Sequence, residues 1–391
     1  MKIVQLARAT ALAAIAVVAV TPMQLEAQRL NATYANSIVT GRKVASGFSE
    51  GMRWQAQSRI VGQTSTATIA GGGNPIYLAA QPAYSGVVTL IMRYTGGSFI
   101  CSGTLLPDRV SILTAAHCVS DGAGTAGPLE TTVYFPGSNP DGIPSNPAEL
   151  AASRTVTQYF VNPSYTGQVI DQNDIAVLRL NAPAPVTALS YGLFTSPALT
   201  GVDFNVAGYG ARSSMGGSAG ANLGAGRLRQ GDNRFDFRLG DADFSNFFSG
   251  FFGTADSRFS FVSDFDNGLA LNDASCRLAA AISPALLGNA KYCNLGRGAR
   301  EVGVAGGDSG GPQFVSGLIA SVTSYGLSFG PDFGDFDGRL NSSFGEFSGY
   351  VPISLHVDFI NRSLVPEPAT YALFGTGLVV IGFLARRRRI S

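Results

Sequence analysis

The chain has 391 residues, with 27 basic and 26 acidic side chains, two histidines, four cysteines and 49 glycines. So even a charge balance gives no basic face for nucleic acid, which is excluded as an expected partner. Low charge with abundant glycine favours many short strands joined by turns over helices with salt-bridged faces.

At the start, Lys2 and Arg8 precede an apolar run from Ala9 to Val20, and small residues ending at Ala27 suit a signal peptidase. Residues 1–27 read as a secretory signal peptide. The alternative is an uncleaved membrane anchor, for which the run falls short of the ~20 residues a span needs. Export places the cysteines in an oxidising compartment, so two disulfides are expected and no metal site or cofactor.

Residues 28–59 are polar and mixed and read as a leader or propeptide. From Ser85 the texture becomes β-rich: Val87 to Met92 and Ser98 to Leu106 are strands broken at Gly96-Gly97, as in a hairpin. Another strand, Val110 to Leu113, leads into Thr114-Ala115-Ala116-His117-Cys118. Asp174 to Leu180 is a buried strand, and Asn181-Ala182-Pro183-Ala184-Pro185 has linker composition. Two β domains, 60–185 and 186–362, are therefore expected. In the second, residues 212–274 are rich in Gly, Asp and Phe, and Arg234-Phe235-Asp236-Phe237-Arg238-Leu239 alternates with period two. Asp264-Phe265-Asp266-Asn267-Gly268 reads as a solvated turn, with a hard-cation site such as calcium as the alternative. An amphipathic helix near Ser354 to Ile360 closes the domain.

A serine hydroxyl attacks a carbonyl only when a base takes its proton and donors await the oxyanion. In Gly307-Asp308-Ser309-Gly310-Gly311-Pro312, glycines on both sides of Ser309 permit a tight turn that aims the N–H groups of Gly307 and Ser309 at one spot. The base must be His117 or His356. His117 sits beside Cys118 at a strand end, where a disulfide can pin it, whereas His356 falls in the closing helix as a surface or packing residue. Asp174 opens an apolar strand and needs a partner, which the far nitrogen of His117 supplies; Asp171 is its competitor.

The segments Thr114-Ala115-Ala116-His117-Cys118, Asn173-Asp174-Ile175-Ala176-Val177-Leu178 and Gly307-Asp308-Ser309-Gly310-Gly311-Pro312 resemble, in order, the three signatures of the trypsin/chymotrypsin family. That family is the type case of the Ser-His-Asp triad. The resemblance implies an all-β fold of two six-stranded antiparallel barrels with a short C-terminal helix, a triad of His117, Asp174 and Ser309, and an oxyanion hole from Gly307 and Ser309. Phe99 to Leu106 resembles the strand whose cysteine bridges to the one after the histidine, which implies Cys101–Cys118 and, with it, Cys276–Cys293. Where trypsin-like members carry the acid that binds Lys or Arg, this chain has Gly303 followed by Val304, and Ser324-Tyr325-Gly326 resembles the pocket wall that pairs with substrate backbone. Cleavage after uncharged, apolar or small residues is expected. Ser58-Arg59-Ile60-Val61-Gly62 resembles the family's activation site, with Asp308 as the acceptor of a new Ile60 ammonium.

The chain departs from the family in three ways. The spacing from Asp174 to Ser309 is lengthened by the 212–274 insertion, the span from Ile60 to Cys101 is long, and Ala305 stands where a cysteine is usual. At the C-terminal end, Val365-Pro366-Glu367-Pro368, an apolar stretch from Tyr371 to Ala385 and Arg386 to Arg389 resemble the PEP-CTERM sorting signal of Gram-negative bacteria. That resemblance implies a sorting tail at 363–391 that inserts transiently in a membrane as a hydrophobic helix before an exosortase acts, with a permanent anchor as the alternative. The whole reads as an exported serine endopeptidase of the cell envelope, surface or matrix, acting on protein or peptide substrates and processed by signal peptidase and exosortase. A catalytically silent surface binding protein and an α/β-hydrolase with a Ser309, Asp332, His356 order are the competing readings.

Overall fold

The computed structural model describes residues 43–364 apart from 58–59, 96, 123, 145 and 147–148. The expected signal peptide, Ser58-Arg59 and residues 365–391 of the expected sorting tail lie outside the described residues. Among the described residues no helix is long and apolar enough to cross a membrane.

Part of the expected leader is built into the fold. Val44–Ser49 (β1) and Met52–Gln57 (β2) pair antiparallel around Glu50-Gly51, both at positive φ, the geometry of a two-residue hairpin turn. In β2 the side chains of Met52, Trp54 and Ala56 are buried and those of Arg53 and Gln55 are exposed, so a period-two pattern decides which face joins the core. Val61–Gly62 (β3) follows.

Val87–Tyr94 (β4) and Gly97–Leu105 (β5) form the hairpin expected at Gly96-Gly97. Ser111–Thr114 (β6), Glu130–Pro136 (β7), Leu150–Val161 (β8) and Ala176–Leu180 (β9) complete a closed barrel in the order β4-β5-β6-β9-β8-β7. Val88, Leu90 and Met92, alternate residues of β4, fill it together with Leu105, Ile112, Val133, Phe135 and Leu178.

The second unit contains Asp203–Gly208 (β10), Arg229–Arg234 (β11), Phe237–Arg238 (β12), Phe261–Phe265 (β13), Val302–Gly303 (β14), Pro312–Val315 (β15), Leu318–Ser328 (β16) and Glu346–Pro352 (β17). Its sheet runs β11-β10-β15-β16-β17-β13-β12, while β14 pairs with β3. The sheet curls as a half-barrel, whereas the sequence implied a second closed barrel. Beyond an irregularity between Thr323 and Tyr325, the end of β16 pairs with β2, and that edge does not return to the sheet.

Two α-helices occur among the described residues. Ala274–Ile282 (α1), which the sequence did not announce, is capped by Asp273, whose carboxylate accepts the Cys276 N–H at 2.8 Å. Val357–Leu364 (α2) is the expected closing helix, held to the first barrel by Arg179 Nη2 donating to Ser363 O at 2.7 Å. The two units meet where Val87, Leu113, Ile175 and Val177 pack against Ala207, Tyr209, Val322 and Val351.

Candidate active site

His117 lies in a single 3-10 turn, Ala116–Cys118, directly after β6. Asp174 lies just before β9, the neighbour of β6 in the barrel, so adjacent strand ends bring the two side chains together. Asp174 Oδ2 is 2.7 Å from His117 Nδ1, and Asp174 Oδ1 accepts the His117 backbone N–H at 2.7 Å. Ser324 Oγ donates a further bond to Asp174 Oδ2 at 2.5 Å. Burial alone would raise the Asp174 pKa, but the His117 charge and these donors hold it below the usual carboxylate value. A carboxylate fixed in this way orients the imidazole and supports its protonated form.

Asp171, the competing acid, is occupied elsewhere: its oxygens accept bonds from Thr166 N and Oγ1 and from Asn173 N, between 2.7 and 2.8 Å. His356 is buried, with Nε2 2.7 Å from Gln172 O and Nδ1 3.1 Å from Asn162 Nδ2, and burial lowers its pKa. It is a packing residue of the barrel junction.

Ser309 is buried at the junction between the two units. Gly307 and Gly310 have φ of 105° and 78°, which favour glycine. A Cβ on Gly310 would also lie 2.0 Å from Thr114 Oγ1 and 2.8 Å from Ala115 N, so the turn carrying Ser309 sits directly against the segment that carries His117. Ser102 fastens the two: its N–H donates to Ser309 O at 2.8 Å and its Oγ to Gly307 O at 2.8 Å. Its own carbonyl accepts Thr114 Oγ1 at 2.8 Å. The sequence offered Ser102 inside a matched strand but no role for it, because its partners are distant in the chain. The Gly306 carbonyl accepts the Ala211 N–H at 2.7 Å. In a trans peptide the N–H points opposite the carbonyl, so the Gly307 N–H is turned away from Ala211.

Asp308 is fully buried and accepts bonds from Gly210 N at 2.7 Å, from Ala305 N at 2.8 Å and from Ile60 N. Gly208 and Gly210 leave the room it needs, since a Cβ on either would lie 2.3 Å from its carboxylate. Burial pushes its pKa up to about 8. Gly303 faces the ring of Phe265, which a Cβ there would approach to 3.0 Å, and Val304 is buried beside it. Both disulfides, Cys101–Cys118 and Cys276–Cys293, are formed. The first joins β5 to the His117 turn.

In the Asp264–Gly268 segment the acids are not solvated, although Asn267 is half-buried and Gly268 exposed. Asp264 and Asp266 are buried with Asp236, Asp273 and Glu301, because β13 lies inside the sheet and α1 starts against it. Backbone N–H groups meet these acids: Ser275 N at Asp264, Asp264 N at Asp236 and Gly268 N at Asp266.

Comparison with known proteins adds to this geometry. The family model described as Trypsin matches residues 52–230, a span that includes His117 and Asp174 and ends before Ser309. Residues 52–230 are a trypsin-family domain. Residues 364–389 match the PEP-CTERM protein-sorting motif, which marks the chain for export and cell-surface sorting in bacteria. The chain is 26% identical to "Trypsin, alkaline B" of Manduca sexta, over 62% of the chain and 76% of that protein. It is 30% identical to "Inactive CLIP domain-containing serine protease A3" of Aedes aegypti, over 36% of the chain and only 29% of that protein.

Proposed function

We propose that the protein is an exported serine endopeptidase that cleaves peptide bonds through an acyl-enzyme. The observation that carries the reading is Asp174, buried and locked to both His117 nitrogen donors while Ser324 supplies a third bond.

In this reading Ser309 Oγ attacks the substrate carbonyl as His117 Nε2 takes its proton, and the N–H groups of Gly307 and Ser309 receive the oxyanion. The tetrahedral species collapses to an acyl-Ser309 ester, with the His117 proton passing to the leaving amine. Water, deprotonated by His117, then attacks the ester and releases the acid product. Asp174 keeps its charge throughout and balances the imidazolium. With Gly303 against the Phe265 ring and Val304 buried next to it in the chain, neither position offers a counter-ion to Lys or Arg, so cleavage follows apolar or small residues.

Residues 60–185 and 186–362 act as the two halves of the catalytic unit, with 212–274 as an insertion in the second. Cleavage after Arg59 frees Ile60, whose ammonium would neutralise the buried Asp308 and order the turn at Gly307. Signal peptidase removes residues 1–27, and an exosortase processes the tail at 363–391 after it has engaged the membrane. The test is labelling with a biotinylated fluorophosphonate after activation. Covalent attachment at Ser309 supports the protease, and a folded, activated protein that stays unlabelled would favour a silent binding scaffold.

A further inference from the structure

The β1–β2 hairpin lies where a substrate would be expected to bind. Gln57 pairs with Gly326, Ala56 with Leu327 and Gln55 with Ser328, all antiparallel. A peptide laid antiparallel on Ser324–Gly326, with its residue before the scissile bond opposite Ser324, places its third residue opposite Gly326. Gln57 already occupies that edge.

The other end of the same segment reaches the first barrel. Val44 pairs with Gln57, and next to it Lys43 Nζ donates to Tyr165 Oη at 2.8 Å, Gly167 O at 3.0 Å and Ser120 O at 3.3 Å, above the Tyr165 ring at 4.9 Å. Ser120 follows the His117 turn, and Tyr165 lies in the segment leading to Asp174. Residues 43–57 thus run from the second sheet to the first barrel beside the catalytic groups. The insertion anchors them: Trp54, 1% exposed, meets Phe252 edge to face at 5.2 Å, and Ser49 Oγ donates to Phe251 O at 2.9 Å. Phe244, Phe248, Phe251 and Phe329 complete the platform under Trp54 and Ala56.

We propose that residues 43–57 are a strap that fills the substrate cleft from the third residue before the scissile bond outward, and that this strap determines specificity. The protein then reads only the one or two residues preceding the cut, whether or not the chain is cleaved before Ile60. The 212–274 insertion is the strap's docking platform. This inference rests on the protease reading above.

The test compares thiobenzyl esters of acetyl-Phe and acetyl-Ala-Ala-Val-Phe, which share a leaving group, on the activated protein and on Lys43→Met and Trp54→Ala. The expected parent shows kcat/KM for the longer ester within about fivefold of the shorter. The variants should raise that ratio at least tenfold without changing hydrolysis of the short ester. A synthetic peptide of residues 43–57, added to either variant, should restore the parent ratio. A parent ratio of about a hundred or more would overturn the proposal. So would release of residues 43–57, seen as faster hydrogen exchange at Ala56 and Leu327, with no change in ratio. Failure of every form to hydrolyse the short ester would overturn the protease reading and this proposal with it, which separates the two failures.

Discussion

Asp174 and Ser324 are 150 positions apart in the chain and joined by a 2.5 Å hydrogen bond at the junction of the two units. The bond ties the acid that orients His117 to the strand expected to receive substrate, so the orientation of the imidazole depends on β16. Ser324→Ala leaves Asp174 buried and short of one donor. Loss of one hydrogen bond to a buried charge costs about 1.5–3 kcal/mol. We expect kcat to fall roughly tenfold or more, with KM changed much less, and a matching loss of stability in urea unfolding. An unchanged kcat would show that the bond orients nothing.

Asp308 is the second coupled group. Its carboxyl, pushed up to about 8 by burial, accepts the Ile60 N–H, and in the proposed mechanism cleavage before Ile60 puts a cation there. Arg59→Gln should therefore leave the exported protein uncut at this point and at least about a hundredfold less active toward a small ester. N-terminal sequencing of the active parent should read Ile60-Val61-Gly62. An active form beginning well upstream would contradict this mechanism.

Stability should fall as pH rises. Burial raises Asp236 and Asp266 to about 6, Asp273 to about 7, Glu346 to about 8 and Glu301 to about 9. A carboxyl whose folded pKa exceeds its unfolded one stabilises the fold fully below the unfolded value, and that contribution is lost as pH climbs through the folded value. Asp174 and His356, both depressed, act in the opposite sense, Asp174 below the usual carboxylate range and His356 as one group against these five acids. Thermal melts of Ser309→Ala protein should give a Tm several degrees higher at pH 5 than at pH 8. Equal or reversed values would mean that a bound cation balances the cluster.

The pocket around Gly303 makes a prediction about substrates. Esters with Phe, Leu, Val or Ala before the scissile bond should exceed Lys or Arg esters by at least roughly tenfold in kcat/KM, because an unpaired ammonium is costly to bury. A preference for Arg would show that an acid reaches the pocket from the insertion.

The candidate site was legible because its chemistry is local: each signature segment spans five or six residues around His117, Asp174 or Ser309, and the glycines near Ser309 are demanded by backbone φ. The β4–β5 hairpin was legible for the same reason. The β1–β2 hairpin was not, although Met52, Trp54 and Ala56 alternate with Arg53 and Gln55. Six residues after a polar leader carry too short a pattern to set against their context, and the partners Gly326 and Phe252 are far along the chain. The buried acids read as a solvated turn because carboxylates met by backbone N–H groups leave no compensating side chain in the sequence. Closure of the second barrel failed on an edge, since nothing in β16 announces that β2 will cover it.

The central claim is tested most directly by kcat/KM of Ser309→Ala against the parent, measured on one small ester after the same activation, with circular dichroism confirming an unchanged fold. A fall on the order of 10⁴ to 10⁶ is the expected result for loss of a triad nucleophile. Activity retained within about tenfold would contradict the account.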